Sequence, residues 1–219
     1  MKNLQRMALI LIIILIPTIL VLTMIRICLT PIFLDAEYRM PGFPPDNYGF
    51  TFEDRLHWAK ISSAYLLDKS NSSELESQYL PNGQSLYNAR EIKHMHDVKQ
   101  LTQKALMLWY AGLGILVSFW IIARSGKWHK DYWLAVQHGA KLTILLIFAI
   151  ILGVLLNFDE IFTAFHRIFF KGDTWLFYLS DTLIRLFPLR FWQDIFLFIG
   201  GMSLLSALLI LIINKRQTK

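Results

Sequence analysis

Four long apolar runs set the rhythm of the chain, and its polar residues are gathered between them. The first, residues 7–25, has 19 positions without a charge and follows Lys2 and Arg6. At 1.5 Å per residue, a helix of that length crosses the hydrocarbon core of a bilayer. The run outlasts the apolar core of a signal peptide, and Ile27-Cys28-Leu29 offers no small-residue cleavage site, so a retained anchor helix is predicted. Residues 105–123 are a second uncharged run, residues 142–156 a third and residues 195–213 a fourth. The fourth carries Gly200, Ser203 and Ala207 as a small-residue face for helix packing.

The interval between the first two runs, residues 30–104, is long enough for a folded cap. Pro41, Pro44 and Pro45 with Gly42 make its entry irregular. Thr51 and Asp54 have capping-box spacing for a helix from Phe52 to about Asp68, and Asn71-Ser72-Ser73 reads as a surface loop. Tyr79-Leu80 and Ser85-Leu86-Tyr87 flank Pro81-Asn82-Gly83-Gln84, the pattern of a hairpin whose Asn-Gly supplies positive φ angles. A two-stranded ribbon is marginal alone. The interval therefore predicts a small α+β cap with its ribbon leaning on helices. Asn88 and Glu91 form a second capping box, with no strong breaker until after Ala123, so one long helix is expected to start in the cap and run on through residues 105–123.

The last polar interval is the most unusual. Residues 157–194 are too polar to span a bilayer and too aromatic for a linker. On a helical template Phe158, Ile161, Phe162, Phe165, Phe169 and Phe170 share one face, with Asp159, Glu160, Thr163 and Arg167 on the other. His166 is four residues from both Phe162 and Phe170 and joins the aromatic face. Lys171-Gly172-Asp173 breaks the helix; Trp175, a short run pairing Asp181 with Arg185 at i,i+4, and Phe187-Pro188 follow. The pattern predicts a re-entrant or interfacial segment that holds a titratable imidazole at the membrane boundary.

Composition agrees with a membrane protein. Of 219 residues 55% are hydrophobic, where a soluble domain has roughly 45–50%. The net charge of +6 has no basic soluble domain on which to receive nucleic acid; topology explains it better. Four crossings put both ends on one side, and Lys2, Arg6, Arg124, Lys127, Lys130, Lys215, Arg216 and Lys219 assign that side to the cytoplasm, against Arg167, Lys171, Arg185 and Arg190 outside. The lone Cys28 excludes an internal disulfide and a cysteine-rich metal site. The expected fold is an all-α integral membrane protein with the α+β extracellular cap and the interfacial aromatic segment. Transmembrane helices are placed in residues 1–29, 105–123, 139–157 and 195–214. The cap occupies residues 30–104 and the outer segment residues 158–194. A cytoplasmic loop (124–138) and tail (215–219) complete the chain.

Nucleophile, metalloprotease, phosphate-loop and redox signatures are absent: there is no GxSxG, HExxH, Walker loop or CxxC. Histidine is the remaining candidate. His94 shares a helix side with Val98, Leu101, Ala105 and Leu108, whereas His96 falls about 200° away. Asp97, at i+3, is placed to fix the His94 tautomer or raise its basicity. A histidine on an apolar face serves structure more often than catalysis, so pattern alone leaves both readings open for His94 and His166. Because i and i+2 diverge on a helix, His94, His96 and Asp97 do not make a convincing metal site, and no cofactor is expected. Arg26, near the end of the first run, either snorkels to the interface or lines a polar cavity.

The segment Tyr87-Asn88-Ala89-Arg90-Glu91-Ile92-Lys93-His94-Met95-His96-Asp97-Val98 is joined by Phe165-His166-x-x-Phe169-Phe170, Asp173-Thr174-Trp175 and Leu186-Phe187-Pro188-x-x-Phe191-Trp192-x-Asp194. In combination these resemble the bacterial lipoprotein intramolecular transacylase family, over the whole chain. The resemblance implies a plasma-membrane acyltransferase acting on a diacylated lipoprotein beside membrane lipid. It would move the sn-2 acyl chain to the α-amino group of the N-terminal cysteine and leave a lyso-form lipoprotein. The family's two functional histidines map to His94 and His166. Donor ester and acceptor amine lie in one substrate, so proximity is supplied without an acyl-enzyme. His94, backed by Asp97, is the expected base and His166 the expected proton donor, a division of roles that can be reversed. Arg26, Arg167 or Arg185 is expected to add positive charge near the oxyanion, and Phe162, Phe165, Phe169, Phe170 and Trp175 to hold acyl chains. A lipid- or lipoprotein-binding scaffold and a lipid hydrolase using the same histidines are the competing readings.

Overall fold

The computed structural model describes residues 2–67 and 75–214. The loop expected at residues 71–73 and the basic tail of residues 215–219 lie outside them. Among the described residues there are eight helices and no strand: α1 (Lys2–Cys28), α2 (Pro31–Tyr38), α3 (Phe52–Leu67), α4 (Ala89–Ser125), α5 (His129–Leu156), α6 (Phe158–Phe169), α7 (Thr182–Leu186) and α8 (Leu189–Asn214). Of these, α1, α4, α5 and α8 are long and apolar enough to cross a membrane. The chain is a multi-pass membrane protein. It divides into two compact units, one made of Met1–Arg26, Leu106–Leu156 and Phe196–Lys219, the other of Ile27–Ala105 and Asn157–Ile195.

The first unit is a bundle whose helices approach wherever small residues allow it. A Cβ added to Gly139 would stand 2.7 Å from the Ile16 Cβ and 3.0 Å from the Ile13 carbonyl oxygen, so α1 and α5 touch through a glycine. Gly200 does the same for α8, where a Cβ would meet Ile151 at 2.8 Å, and Ser203 and Ala207 are fully buried behind it. The small-residue stripe thus faces a partner helix, as close van der Waals packing in lipid requires. Ile12, Ile16, Ala123, Tyr132, Ala135 and Val136 form the buried cluster at one end. That cluster explains a difference from the sequence-based boundaries. α5 begins at His129, and only residues 126–128 connect it to α4, because Tyr132, Ala135 and Val136 pack as helix inside the stretch expected to be loop.

The second unit holds the residues of interest, and its core joins Tyr65, Leu75, Leu86, Tyr87, Met95, Leu183 and Leu186. Its α+β expectation is corrected: the hairpin is reduced to one bridge, Tyr79 with Ser85. Gly83 supplies the positive φ of 82°, but Leu86 and Tyr87 then turn into the core and Asn88 caps α4, so the ladder has nowhere to continue. An unforeseen helix, α2, starts where the Thr30 hydroxyl accepts the Phe33 N–H at 3.3 Å and Pro31 takes the first position, where a missing N–H costs nothing. Both capping boxes close reciprocally. Thr51 N–H reaches Asp54 at 3.0 Å and Asp54 N–H reaches Thr51 at 3.1 Å. Asn88 N–H reaches Glu91 at 2.8 Å and Glu91 N–H reaches Asn88 at 3.0 Å. Glu91 also accepts the Leu183 N–H at 2.7 Å, tying α7 to the start of α4.

Candidate active site

α4 and α6 each bring one histidine to a shared place. The register that the Asn88–Glu91 cap sets on α4 buries Glu91, His94 and Met95 and leaves His96 exposed, where Gln100 hydrogen-bonds it at 3.3 Å. α6 starts at Asn157, whose side chain accepts the Glu160 N–H at 3.3 Å, and this register buries Phe158 and His166. The two imidazoles are 8% exposed each and stack with centroids 6.0 Å apart and planes 23° apart. Aromatic rings surround them. Phe162, Trp175 and Phe170 lie 4.2, 4.8 and 5.6 Å from His166, and Phe170 and Phe177 lie 5.0 and 5.3 Å from His94. Phe165 packs edge-on against His166 at 5.6 Å and lies tilted against Phe169 at 4.9 Å; both Phe165 and Phe169 are exposed.

The hydrogen bonding distinguishes the two rings. His166 Nδ1 is 2.8 Å from the Phe162 carbonyl oxygen. A carbonyl only accepts, so Nδ1 carries the hydrogen and Nε2 presents its lone pair. Burial pushes the His166 pKa below its ordinary value, and the Phe162 carbonyl offsets part of that shift. His94 Nδ1, by contrast, is buried without a hydrogen-bond partner in the protein. A polar atom in that state costs free energy until something pairs with it.

The supporting residues expected from sequence are placed differently. Asp97 makes no hydrogen bond to His94, because i+3 carries its carboxylate to a half-exposed flank of α4. Arg167 is exposed and lines a groove with Asp159, Glu160 and Thr163. Arg185 is committed elsewhere. Its guanidinium forks onto Asp46 with two 3.0 Å bonds and lies 3.5 Å over the Phe50 ring. The expected Asp181–Arg185 pair is replaced by Asp181 with Arg90, at 3.0 Å. Arg26 is half-buried in the last turn of α1 and belongs to the other unit. Phe177 and Arg90 were not singled out by sequence reasoning; the available signal was that Arg90 precedes His94 by one helical turn.

The sequence model of the lipoprotein intramolecular transacylase Lit matches residues 8–192, a stretch that contains both histidines and every ring around them. The chain belongs to the lipoprotein intramolecular transacylase family. An uncharacterized protein from Aquifex aeolicus (strain VF5) is 32% identical, over 89% of this chain and 88% of that protein. Among solved structures, the membrane integral lipoprotein intramolecular transacylase Lit from Bacillus cereus is similar in fold, with a TM-score of 0.71, 23% identity and coverage of 99% of this chain and 100% of that one. A variant of the same protein with one histidine replaced by alanine superposes with a TM-score of 0.70 at 18% identity, covering 98% and 94% of the two chains. As a transacylase family member, the protein is an acyltransferase.

Proposed function

We propose that this transacylase carries out its acyl transfer with the stacked pair His94 and His166. The acyl chain leaves the sn-2 oxygen of a lipoprotein's diacylglyceryl group and joins the α-amino nitrogen of its N-terminal cysteine. The observation that carries the reading is the burial of both imidazoles 6.0 Å apart inside one aromatic enclosure.

The hydrogen-bond pattern favours the reverse of the roles expected from sequence. His166, with Nδ1–H fixed on the Phe162 carbonyl, offers Nε2 as the base that takes a proton from the α-amino group. The nitrogen attacks the sn-2 ester carbonyl. His94, as its Nδ1–H tautomer, donates from its unpartnered nitrogen to the tetrahedral oxyanion. When the C–O bond breaks, the proton held by His166 passes to the sn-2 oxygen, so an N–H is exchanged for an O–H and the substrate's mass is conserved. A pKa held below the ordinary histidine value keeps His166 unprotonated at neutral pH, which is the form a base requires. Phe162, Phe165, Phe169, Phe170 and Trp175 supply an apolar wall for acyl chains, and its partly exposed members give lipid a way in. The positive-inside bias assigns this site to the outer leaflet of a bacterial plasma membrane.

Fragment mass spectrometry of a diacylated model lipopeptide after incubation with the purified protein tests the function. Unchanged mass with the acyl chain on nitrogen is the expected result. Loss of one acyl chain would instead mean hydrolysis, and an unchanged lipopeptide a binding scaffold.

A further inference from the structure

The start of α4 carries a cation beside the histidine pair. Arg90 stands one helical turn before His94, and its guanidinium lies against the rings of Phe177 at 5.6 Å and Tyr178 at 5.1 Å. The same group donates to Asp181 at 3.0 Å. Asp181 in turn accepts the Tyr178 N–H at 2.8 Å and the Asn88 side-chain amide at 3.1 Å. Residues 170–181 have neither helix nor strand to hold them; their internal backbone bonds are two turns, Leu176 to Asp173 and Asp181 to Tyr178. Phe177 nonetheless sits edge-on against His94 at 5.3 Å. Phe177 also packs against the buried core of its unit, and the clasp made by Arg90 and Asp181 lies against its ring from the start of α4.

We propose that Arg90 is a positioning residue for the transfer: clasped to Asp181, it holds Phe177 against His94 and so keeps the His94 ring stacked on His166. Arginine suits this task and lysine does not, because a planar guanidinium can rest on two rings while one of its in-plane N–H groups donates to a carboxylate. The proposal rests on the reading that His94 takes part in the reaction. The geometry supplies the sensitivity, since a displacement of about 1 Å at a reacting group can cost on the order of 100-fold in rate.

The test compares Arg90→Met, Arg90→Lys and Asp181→Asn in the purified full-length protein with a diacylated lipopeptide. Arg90→Met and Asp181→Asn should each lower kcat by roughly 10- to 100-fold with little change in KM, and the double variant should be no worse than either. Arg90→Lys should recover only part of the loss. Diethylpyrocarbonate modification of His94 should become faster in the impaired variants while that of His96, already exposed on the same helix, stays constant. Cys28, buried in the same unit, serves as the control for unfolding and should remain unreactive towards maleimide. Wild-type kcat in Arg90→Met would overturn the proposal, as would a lost kcat with unaltered His94 reactivity, which would mean that Arg90 contacts the substrate directly. The labelling arm reads the clasp whether or not His94 is catalytic, whereas full activity in His94→Ala would overturn the reading of the function itself.

Discussion

Replacing Arg185 with methionine separates a structural charge from a catalytic one. Asp46 and Arg185 are 1% and 11% exposed at their side chains and share two 3.0 Å hydrogen bonds. Asp46 also accepts the Tyr48 and Phe50 N–H groups at 3.0 and 2.8 Å. Burial alone would raise the Asp46 pKa, but the Arg185 bonds and the two amides outweigh it and hold the carboxyl below its ordinary range. Removing one partner of such a buried pair costs about 3–5 kcal/mol; because two amides remain on Asp46, the low end, about 3 kcal/mol, is expected. At about 2–4 °C per kcal/mol for a chain of this size, the melting midpoint should fall by roughly 6–12 °C at pH 7. Thermal exposure of Cys28 to a fluorogenic maleimide reads the midpoint, since this cysteine is buried in the same unit. The sign with pH is also fixed. In the wild type the pair's contribution is present above the ordinary carboxylate value and lost as pH falls through the lower folded one. In the variant the Arg185 bonds no longer hold the carboxyl down, so its pKa lies above the wild-type one and the gap in midpoint should narrow as pH falls through and below the ordinary carboxylate value. Below its midpoint the variant should transfer acyl chains at close to the wild-type rate. Normal melting with a collapsed kcat would refute this and restore Arg185 to the oxyanion.

Other expectations follow from the same contacts. Because the folded pKa of His166 lies below the ordinary value near 6.5, the base is already neutral at pH 6.5–8, and the rate in that range should rise as the substrate's ammonium, pKa about 7.7–8.0, is deprotonated; a rate that falls between pH 6.5 and 8 would contradict the assignment. Gly139→Ala should lower the yield of folded protein in the membrane, since its Cβ would clash with Ile16 and the Ile13 carbonyl, while Gly201→Ala, with open space around its Cβ, should not. In a Cys28→Ser background, cysteine at Ser180 should react with an impermeant maleimide in intact cells and cysteine at Ser125 should react only after lysis; the opposite pattern would put the histidines on the wrong side.

Local patterns were legible in the sequence, and pairings across long separations were not. The Thr51–Asp54 and Asn88–Glu91 caps, the Gly200–Ser203–Ala207 stripe and the opposite fates of His94 and His96 all rest on helical geometry within a few residues. Arg185 shows the limit. Asp181 is its neighbour at i,i+4, but Asp46, 139 positions away, offers a buried two-pronged partner and wins it. Asp181 is thereby released to Arg90, and neither exchange leaves a periodic trace. The hairpin failed for a related reason: its alternation was real, but the core claimed Leu86 and Tyr87 before a ladder could form. At α2 a local signal was present and went unread, the Thr30 cap followed by Pro31. The chemistry divided likewise. Periodicity selected both histidines, but the tautomer of His166 depends on a 2.8 Å bond to a backbone carbonyl that leaves no trace in the sequence pattern, and the proposed reversal of roles rests on that bond.

The most direct test of the histidine pair is lyso-form product, measured by mass spectrometry, from His94→Ala, His96→Ala and His166→Ala proteins present at equal abundance in the membrane. Losing the base or the oxyanion donor should each reduce transfer by about 100-fold or more, and the His94→Ala/His166→Ala double variant should be little worse than either single one, because both act in one proton-transfer sequence. His96→Ala should retain most activity. Transfer abolished by His96→Ala and preserved in His94→Ala would contradict both the helix-facing argument and the stacked pair as the seat of the reaction.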